Sequence, residues 1–292
     1  MNKEKLIIIS QNFKGNINYK KGENRLEKKK KNKTAVANYL KHYDADIVAG
    51  QELPAHINEK EFIEANKLIG SFDGQAEGQS QFFTGFYVNN KKKYEVGLNS
   101  NKEISEIWEK LFKGCPGYSF KSGYWAEKWI KFCDERIRII NLHISTTYAI
   151  QFRVSLLKYL SQIQNPYTIV LGDFNAAKNG QTVKKYEENH VFLKMIEANK
   201  YIELIDDKEV DGISHLTHYL TSGGRKLDHI FVSKAFNDKF HYEIDYFDEV
   251  NETHPDHQHS NQTFTEHSGI KVCFYKKNYD TYDKKGIGHQ MS

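Results

Sequence analysis

The sequence predicts a single α/β domain with at least one large, mixed sheet system. Two observations carry this. Short apolar runs of strand length alternate along the chain with segments whose apolar residues recur at helical spacing. No repeat and no internal linker interrupts that alternation. Gly and Pro number only 19 and 4 of 292 residues. Hydrophobic content of 39% with 13% aromatics is that of a globular chain, and the length suffices to bury a sizeable core.

Taken in order, residues 5–12 (KLIIISQN) are an apolar run ending on polar residues, hence a buried strand. A Lys-rich loop follows, and residues 34–42 (TAVANYLKH) have helical spacing, with Asn32 or Thr34 as a cap. Residues 46–50 (DIVAG) are a second buried strand, and 58–69 a helix. Residues 82–88 and 94–98 flank Asn89-Asn90-Lys91, a hairpin signal. A helix over 102–112 precedes strands at 127–133 and 136–142, which surround Asp134-Glu135. Residues 149–163 form an amphipathic helix with Ile150, Val154, Leu157 and Leu160 on one face. Pro166 closes it, and 168–171 is a buried strand. A helix over 187–199 and strands over 227–233, 240–247 and 269–275 complete the series. One domain is expected over 1–278, with a tail at 279–292.

Charge is distributed unevenly. Lys and Arg number 42 against 38 Asp and Glu, a net +4. Residues 19–33 alone hold eight basic residues against two acidic ones, so the rest of the chain is slightly acidic. A uniformly basic surface is excluded, and with it the simplest composition argument for a nucleic-acid partner. The basic stretch reads equally as a phosphate-backbone grip or as a solvated charge run. The longest N-terminal apolar run, Leu6 to Ile9, is too short for a signal-peptide core, and no stretch approaches a membrane span. Cys115, Cys133 and Cys273 have no metal-type spacing. These features predict a soluble, cytoplasmic, monomeric protein with reduced thiols.

Several strands end on polar residues that folding alone does not require: Asn12, Glu52 after Gln51, His143, Asp173 with Asn175, and Asp228 at a strand start. Loops at strand ends are where α/β folds collect ligand and catalytic groups. The strongest single signal is Ile169-Val170-Leu171-Gly172-Asp173-Phe174-Asn175. Its Gly permits a sharp turn, Asp173 can accept a proton from water or hold a metal-bound one, and Asn175 offers an amide to a phosphate oxygen.

IVLGDFN resembles the signature of the endonuclease/exonuclease/phosphatase superfamily, which includes deoxyribonuclease I, repair nucleases, neutral sphingomyelinases and inositol polyphosphate 5-phosphatases. SQN ending on Asn12, DIVAGQE ending on Glu52, NLH with His143, GGRKLDHIFVS with Asp228, and TEHSGI with Glu266 and His267 follow in the superfamily's order. The resemblance spans roughly residues 5–275. It implies a four-layer α/β sandwich, two packed mixed sheets flanked by helices. Two departures stand out. The last motif has Glu266 where the family carries Asp, and Lys14 stands where some repair nucleases carry a second acidic ligand.

The activity implied is metal-dependent hydrolysis of a phosphoester by in-line attack of water. The resemblance implies Mg²⁺ or Mn²⁺ held by Glu52, with Asn12 and Glu266 as further ligands. It casts Asp173 as the group that orients or deprotonates the water. Asn12 and Asn175 bind phosphate oxygens or align Asp173. His267, paired with Asp228, is a general acid/base or a charged phosphate clamp, and His143 contacts the scissile phosphate or the leaving oxygen. Arg225 and Lys226 are placed to meet phosphate.

Other features are weaker. Residues 254–259 (HPDHQH) form a polar loop dense in potential ligands. Tyr124, Trp125 and Trp129 are either base- or sugar-stacking residues or half-buried strand residues. A DNA or RNA nuclease is the first reading. A phosphatase or phosphodiesterase for a small ester, such as an inositol phosphate or nucleotide, is the alternative. A catalytically inactive binding module on the same fold is the third.

Overall fold

The computed structural model describes residues 4–13, 25–54, 57, 60–73, 82–90, 94–98, 124–144, 149–177, 183–204, 215–220, 223–251, 254–256 and 265–277. The elements in order are β1 (Lys5–Asn12), α1 (Arg25–His42), β2 (Ile47–Pro54), α2 (Lys60–Ala65), β3 (Gly70–Asp73), β4 (Phe82–Asn89), β5 (Val96–Leu98), β6 (Trp125–Phe132) and β7 (Glu135–His143). Then come α3 (Ala149–Gln162), β8 (Thr168–Asp173), α4 (Val183–Ala198), β9 (Tyr201–Glu203), β10 (His218–Leu220), β11 (Gly223–Arg225), β12 (Asp228–Ser233), α5 (Lys234–Lys239), β13 (Phe240–Phe247) and β14 (Gly269–Lys276). One six-stranded sheet has the order β13-β14-β1-β2-β4-β3 and the other β5-β6-β7-β8-β12-β9, while β10 and β11 form a separate ribbon.

Period-two alternation in the apolar strands builds the layers. Leu6 and Ile8 of β1, Phe86 of β4 and Val272 of β14 face Ile139 of β7, Leu171 of β8 and Ile230 of β12 in a core between the sheets. Their neighbours Ile7, Ile9 and Val48 point the other way, onto Val36, Tyr39 and Leu40 of α1. Leu142, Val170 and Phe231 turn outward onto Phe152 and Leu156 of α3 and Leu193 and Ile196 of α4. This is the four-layer sandwich that the resemblance implied.

Four local expectations are corrected. The Lys-rich stretch is not a loop throughout: α1 begins at Arg25 and runs through it to His42. Lys, Arg and Glu are good helix formers, and the apolar residues of the C-terminal half anchor the helix to the sheet. The expected hairpin at Asn89-Asn90-Lys91 does not exist. β4 lies between β2 and β3, whereas β5 pairs with β6 in the other sheet. β4 is buried on both faces, so it takes an interior position. On α3 the buried face is Phe152, Ser155, Leu156, Tyr159 and Leu160, while Ile150 and Val154 are 67% and 60% exposed. Cys133 lies in the β6–β7 turn at φ 50 rather than in a strand. β3, β9, β10 and β11 were not anticipated, being four residues or fewer. The helix expected over 102–112, the tail, Lys14, Cys115 and residues 257–259 fall outside the described residues.

Candidate active site

Two parallel pairs bring strand ends together. β1 and β2 align Asn12 with Gln51, and β7 and β8 align His143 with Asp173. The antiparallel partner β12 places Asp228 opposite Asp173. Residues opposite one another on neighbouring strands share a face, so His143, Asp173 and Asp228 stand side by side. Gly172 makes the close approach possible. At φ 131 a Cβ there would lie 2.0 Å from the Leu142 carbonyl oxygen, so only Gly fits. Glu52 is aimed by a register shift between Gly50 and Leu53 and by its own φ of 47, a left-handed conformation uncommon outside glycine. Asn175 has φ 46.

Asp173 is the centre of the group. Its Oδ2 accepts from Asn12 Nδ2 at 3.1 Å and lies 3.8 Å from His143 Nε2 and 4.0 Å from His267 Nε2. Its Oδ1 accepts from the Asn175 backbone N–H at 2.8 Å. Asn12 Nδ2 also reaches Glu52 Oε1 at 3.4 Å, and His143 Nε2 is 3.5 Å from the same oxygen. His267 Nδ1 pairs with Asp228 Oδ2 at 2.8 Å. Asn175 donates one side-chain N–H to the Ile144 carbonyl at 2.8 Å. Asn12, Asp173, Asp228, His143 and His267 are all buried. The structure therefore brings together Asn12, Glu52, His143, Asp173, Asn175, Asp228 and His267.

Burial and neighbouring charge set the protonation states. Burial raises the Asp173 carboxyl above the usual carboxylate range; the His267 and His143 charges oppose this and Asp228 reinforces it. For His267 burial acts downward, but the Asp228 carboxylate, then Asp173 and Glu52, outweigh it and raise the imidazole to about 9. His267 is thus an imidazolium beside an Asp173 carboxyl whose basicity burial raises, a pairing suited to proton transfer beside a clamped anion.

Two expected residues sit elsewhere. Lys226 is no surface phosphate ligand: its side chain is 6% exposed and paired with Glu203 at 3.4 Å. In that same pocket His229 Nδ1 meets Glu203 at 2.7 Å. Lys226 lies in the link between β11 and β12, where its side chain reaches Glu203, and strand alternation sends His229 to that same side while Asp228 faces the site. Glu266 is half-buried, its charge bears on His218, and it is not part of the Asp173–Asp228–His267 group. Arg225 is half-buried, at the end of the ribbon. Among the aromatics, Tyr124 lies 5.5 Å from the His143 ring, Trp125 is core, and Arg136 covers Trp129 at 4.3 Å.

The sequence reading missed the buttresses. Thr217 Oγ1 accepts from the backbone of Leu227 and Asp228 at 3.0 and 3.1 Å. Thr265 Oγ1 donates to the Asn12 carbonyl at 2.6 Å. Gln51 Nε2 donates to Asn141 Oδ1 at 2.6 Å, and Asn141 Nδ2 donates in turn to the Gly50 and Gly85 carbonyls at 3.0 and 2.8 Å. A polar Asn inside the apolar run RIINLH was the available signal for Asn141.

Asp173, Asp228 and His267 offer ligand atoms within 4.8 Å of one another, but the direct His267–Asp228 hydrogen bond already occupies that pair. Glu52 is the carboxylate better placed for a cation, with a side chain 19% exposed and Asn12 beside it. Such hard oxygen donors fit Mg²⁺ or Mn²⁺. Among the described residues no helix is long and apolar enough to cross a membrane.

The model of the Endonuclease/Exonuclease/phosphatase family matches residues 12–248. No curated protein is a significant match. Several solved structures share the fold. The endonuclease domain of TRAS1, a telomere-specific non-LTR retrotransposon, has TM-score 0.55 at 10% identity, covering 94% of this chain and 100% of that one. The D. rerio TDP2 complexed with single strand DNA product has TM-score 0.55 at 14% identity, covering 92% and 98%. An AP endonuclease from Archaeoglobus fulgidus has TM-score 0.56 at 14% identity, covering 91% and 98%.

Proposed function

Because the chain belongs to the endonuclease/exonuclease/phosphatase family, we propose that it is a divalent-metal-dependent phosphoesterase that hydrolyses phosphodiester bonds of nucleic acid. The observation that carries this is the placement of Asp173 among Asn12, His143 and His267, with His267 held by Asp228. Glu52 and Asn12 would hold Mg²⁺ or Mn²⁺, which would neutralise phosphate charge. Asp173, kept basic by burial, takes a proton from the attacking water. The water oxygen forms the new bond to phosphorus as the ester oxygen departs. The His267 imidazolium grips the phosphate, Asp228 fixes the ring, and His143 Nε2 faces the leaving oxygen. Asn175 holds Asp173 in line through its backbone N–H and offers its amide to phosphate.

Nucleic acid is preferred over a small ester on two grounds. The structures that share the fold include one complexed with single strand DNA product, and α1 carries the basic run close in sequence to Asn12. The test is a panel of plasmid DNA, single-stranded DNA, RNA, inositol phosphates and sphingomyelin, each with Mg²⁺ and with Mn²⁺. DNA or RNA should be cut, and Asp173→Ala or His267→Ala should abolish cutting without unfolding the protein. Turnover retained in either variant refutes the assignment. Replacing Lys28, Lys29, Lys30 and Lys31 with Gln should flatten the salt dependence of nucleic-acid binding, by about 0.7–0.9 in the log–log slope for each phosphate no longer neutralised.

A further inference from the structure

The polar row does not stop at His267. His218 opens β10 and pairs with Arg225 of β11 on one side. On the other side it bridges to His267 in antiparallel fashion. Directly opposed residues share a face, so Arg225, His218 and His267 form one row at a strand spacing of about 4.8 Å. The His218 and His267 rings lie 4.9 Å apart between centroids. Two buried nitrogens in this row lack a hydrogen-bond partner among the described residues, His218 Nδ1 and Arg225 Nε. No described carboxylate pairs with Arg225, whereas neighbouring Lys226 is committed to Glu203. Burial, then the His267 charge, lowers His218 to about 4; Arg225 acts in the same sense, and Asp228 and Glu266 oppose it. A buried polar nitrogen without a partner is costly unless a ligand completes it, and the arginine fork, with its Nε–H, is matched to phosphate.

We propose that Arg225 and His218 form a second anion subsite, adjoining His267, which takes a substrate phosphate next to the one hydrolysed. This rests on the phosphoesterase reading of the Asp173 centre and narrows its substrate class. The substrate carries at least two phosphates close together, as does a polynucleotide backbone or a small ester phosphorylated at neighbouring positions.

The experiment compares wild type with Arg225→Gln, Arg225→Lys and His218→Phe, each checked by thermal melting, in the presence of Mn²⁺. The probes are bis(p-nitrophenyl) phosphate, which has one phosphate, a short single-stranded oligodeoxynucleotide, and an inositol bisphosphate. Arg225→Gln should lose ~10–100-fold more kcat/KM on a probe with several phosphates than on bis(p-nitrophenyl) phosphate, chiefly through KM. Arg225→Lys should recover part of that loss, and His218→Phe should share it. Loss on the oligonucleotide alone identifies a polynucleotide, and loss on the bisphosphate alone identifies a small ester. Equal losses on all probes, or none, overturn the subsite. If wild type hydrolyses no probe, the phosphoesterase reading fails by itself. The subsite is then decided by equilibrium binding of the fluorescent oligonucleotide and the bisphosphate. Weaker binding of either by Arg225→Gln upholds it, and unchanged binding of both refutes it.

Discussion

At the scale of single residues, His267 shows opposing forces resolved by geometry. Burial favours its neutral form, yet the Asp228 carboxylate at 2.8 Å, with Asp173 and Glu52 behind it, raises the imidazole to about 9. A histidine raised above its unfolded value of about 6.5 gives stability that is fully present below that pH and lost as pH rises through the folded value. The melting temperature should therefore fall between about pH 7 and pH 9.5, and Asp228→Asn should flatten the decline. The alkaline limb of kcat/KM should lie near about 9 in wild type and move to lower pH in Asp228→Asn. An identical limb in both proteins would show that this pair does not set it. Asn12, Glu52, His143, Asp173, Asn175 and Asp228 were readable as a set because they flank apolar strands, none of them decisive alone, whereas His267 was read only through the family resemblance. Lys226 was misread because charge in a sequence says nothing about whether a link residue folds inward onto a buried partner, here Glu203.

At the scale of elements, α3 shows where periodicity runs out. Both the stripe holding Ile150 and Val154 and the stripe holding Phe152, Leu156 and Tyr159 have helical spacing. Packing selects the second, because Trp125 of β6 meets Phe152 and Tyr159 at ring distances of 6.1 and 5.2 Å. Leu156→Ala should accordingly cost about 2–5 kcal/mol by chemical denaturation, whereas Val154→Lys should stay within about 0.5 kcal/mol. Comparable costs for the two would contradict the observed face. The failed hairpin between β4 and β5 has a similar origin. Turn residues mark where a strand ends, and partner choice is decided by the edges that pair in the packed sheets, where β4 has β2 on one side and β3 on the other.

At the scale of the molecule, the two sheets are tied together next to the site by a polar clasp in an apolar interface. Gln51 of β2 meets Asn141 of β7, which also satisfies the Gly50 and Gly85 carbonyls. Glu52 follows Gln51 directly and His143 follows Asn141 by two positions, so the clasp fixes how the two halves of the site meet. Asn141→Ala removes the bond from Gln51 and the two bonds to the Gly50 and Gly85 carbonyls, while Gln51 Nε2 keeps Ser10 Oγ and the Ala49 carbonyl, and should cost roughly 1–3 kcal/mol. It should also lower activity more than Leu156→Ala does at matched stability, measured as kcat/KM on the best probe of the panel.

The class of the fold and, as a set, six strand-end residues of the centre were legible along the chain, since alternation and polar interruptions are local properties, and the order of the motifs added His267. Other features emerged only on packing: which apolar stripe of α3 is buried, that the Lys run is largely helix, that Lys226 is an internal ion-pair partner, and that Arg225 and His218 stand in line with His267. Those are matters of which surfaces face each other. Burial, cross-strand register and the energy of a buried charge come into being only when distant segments pack.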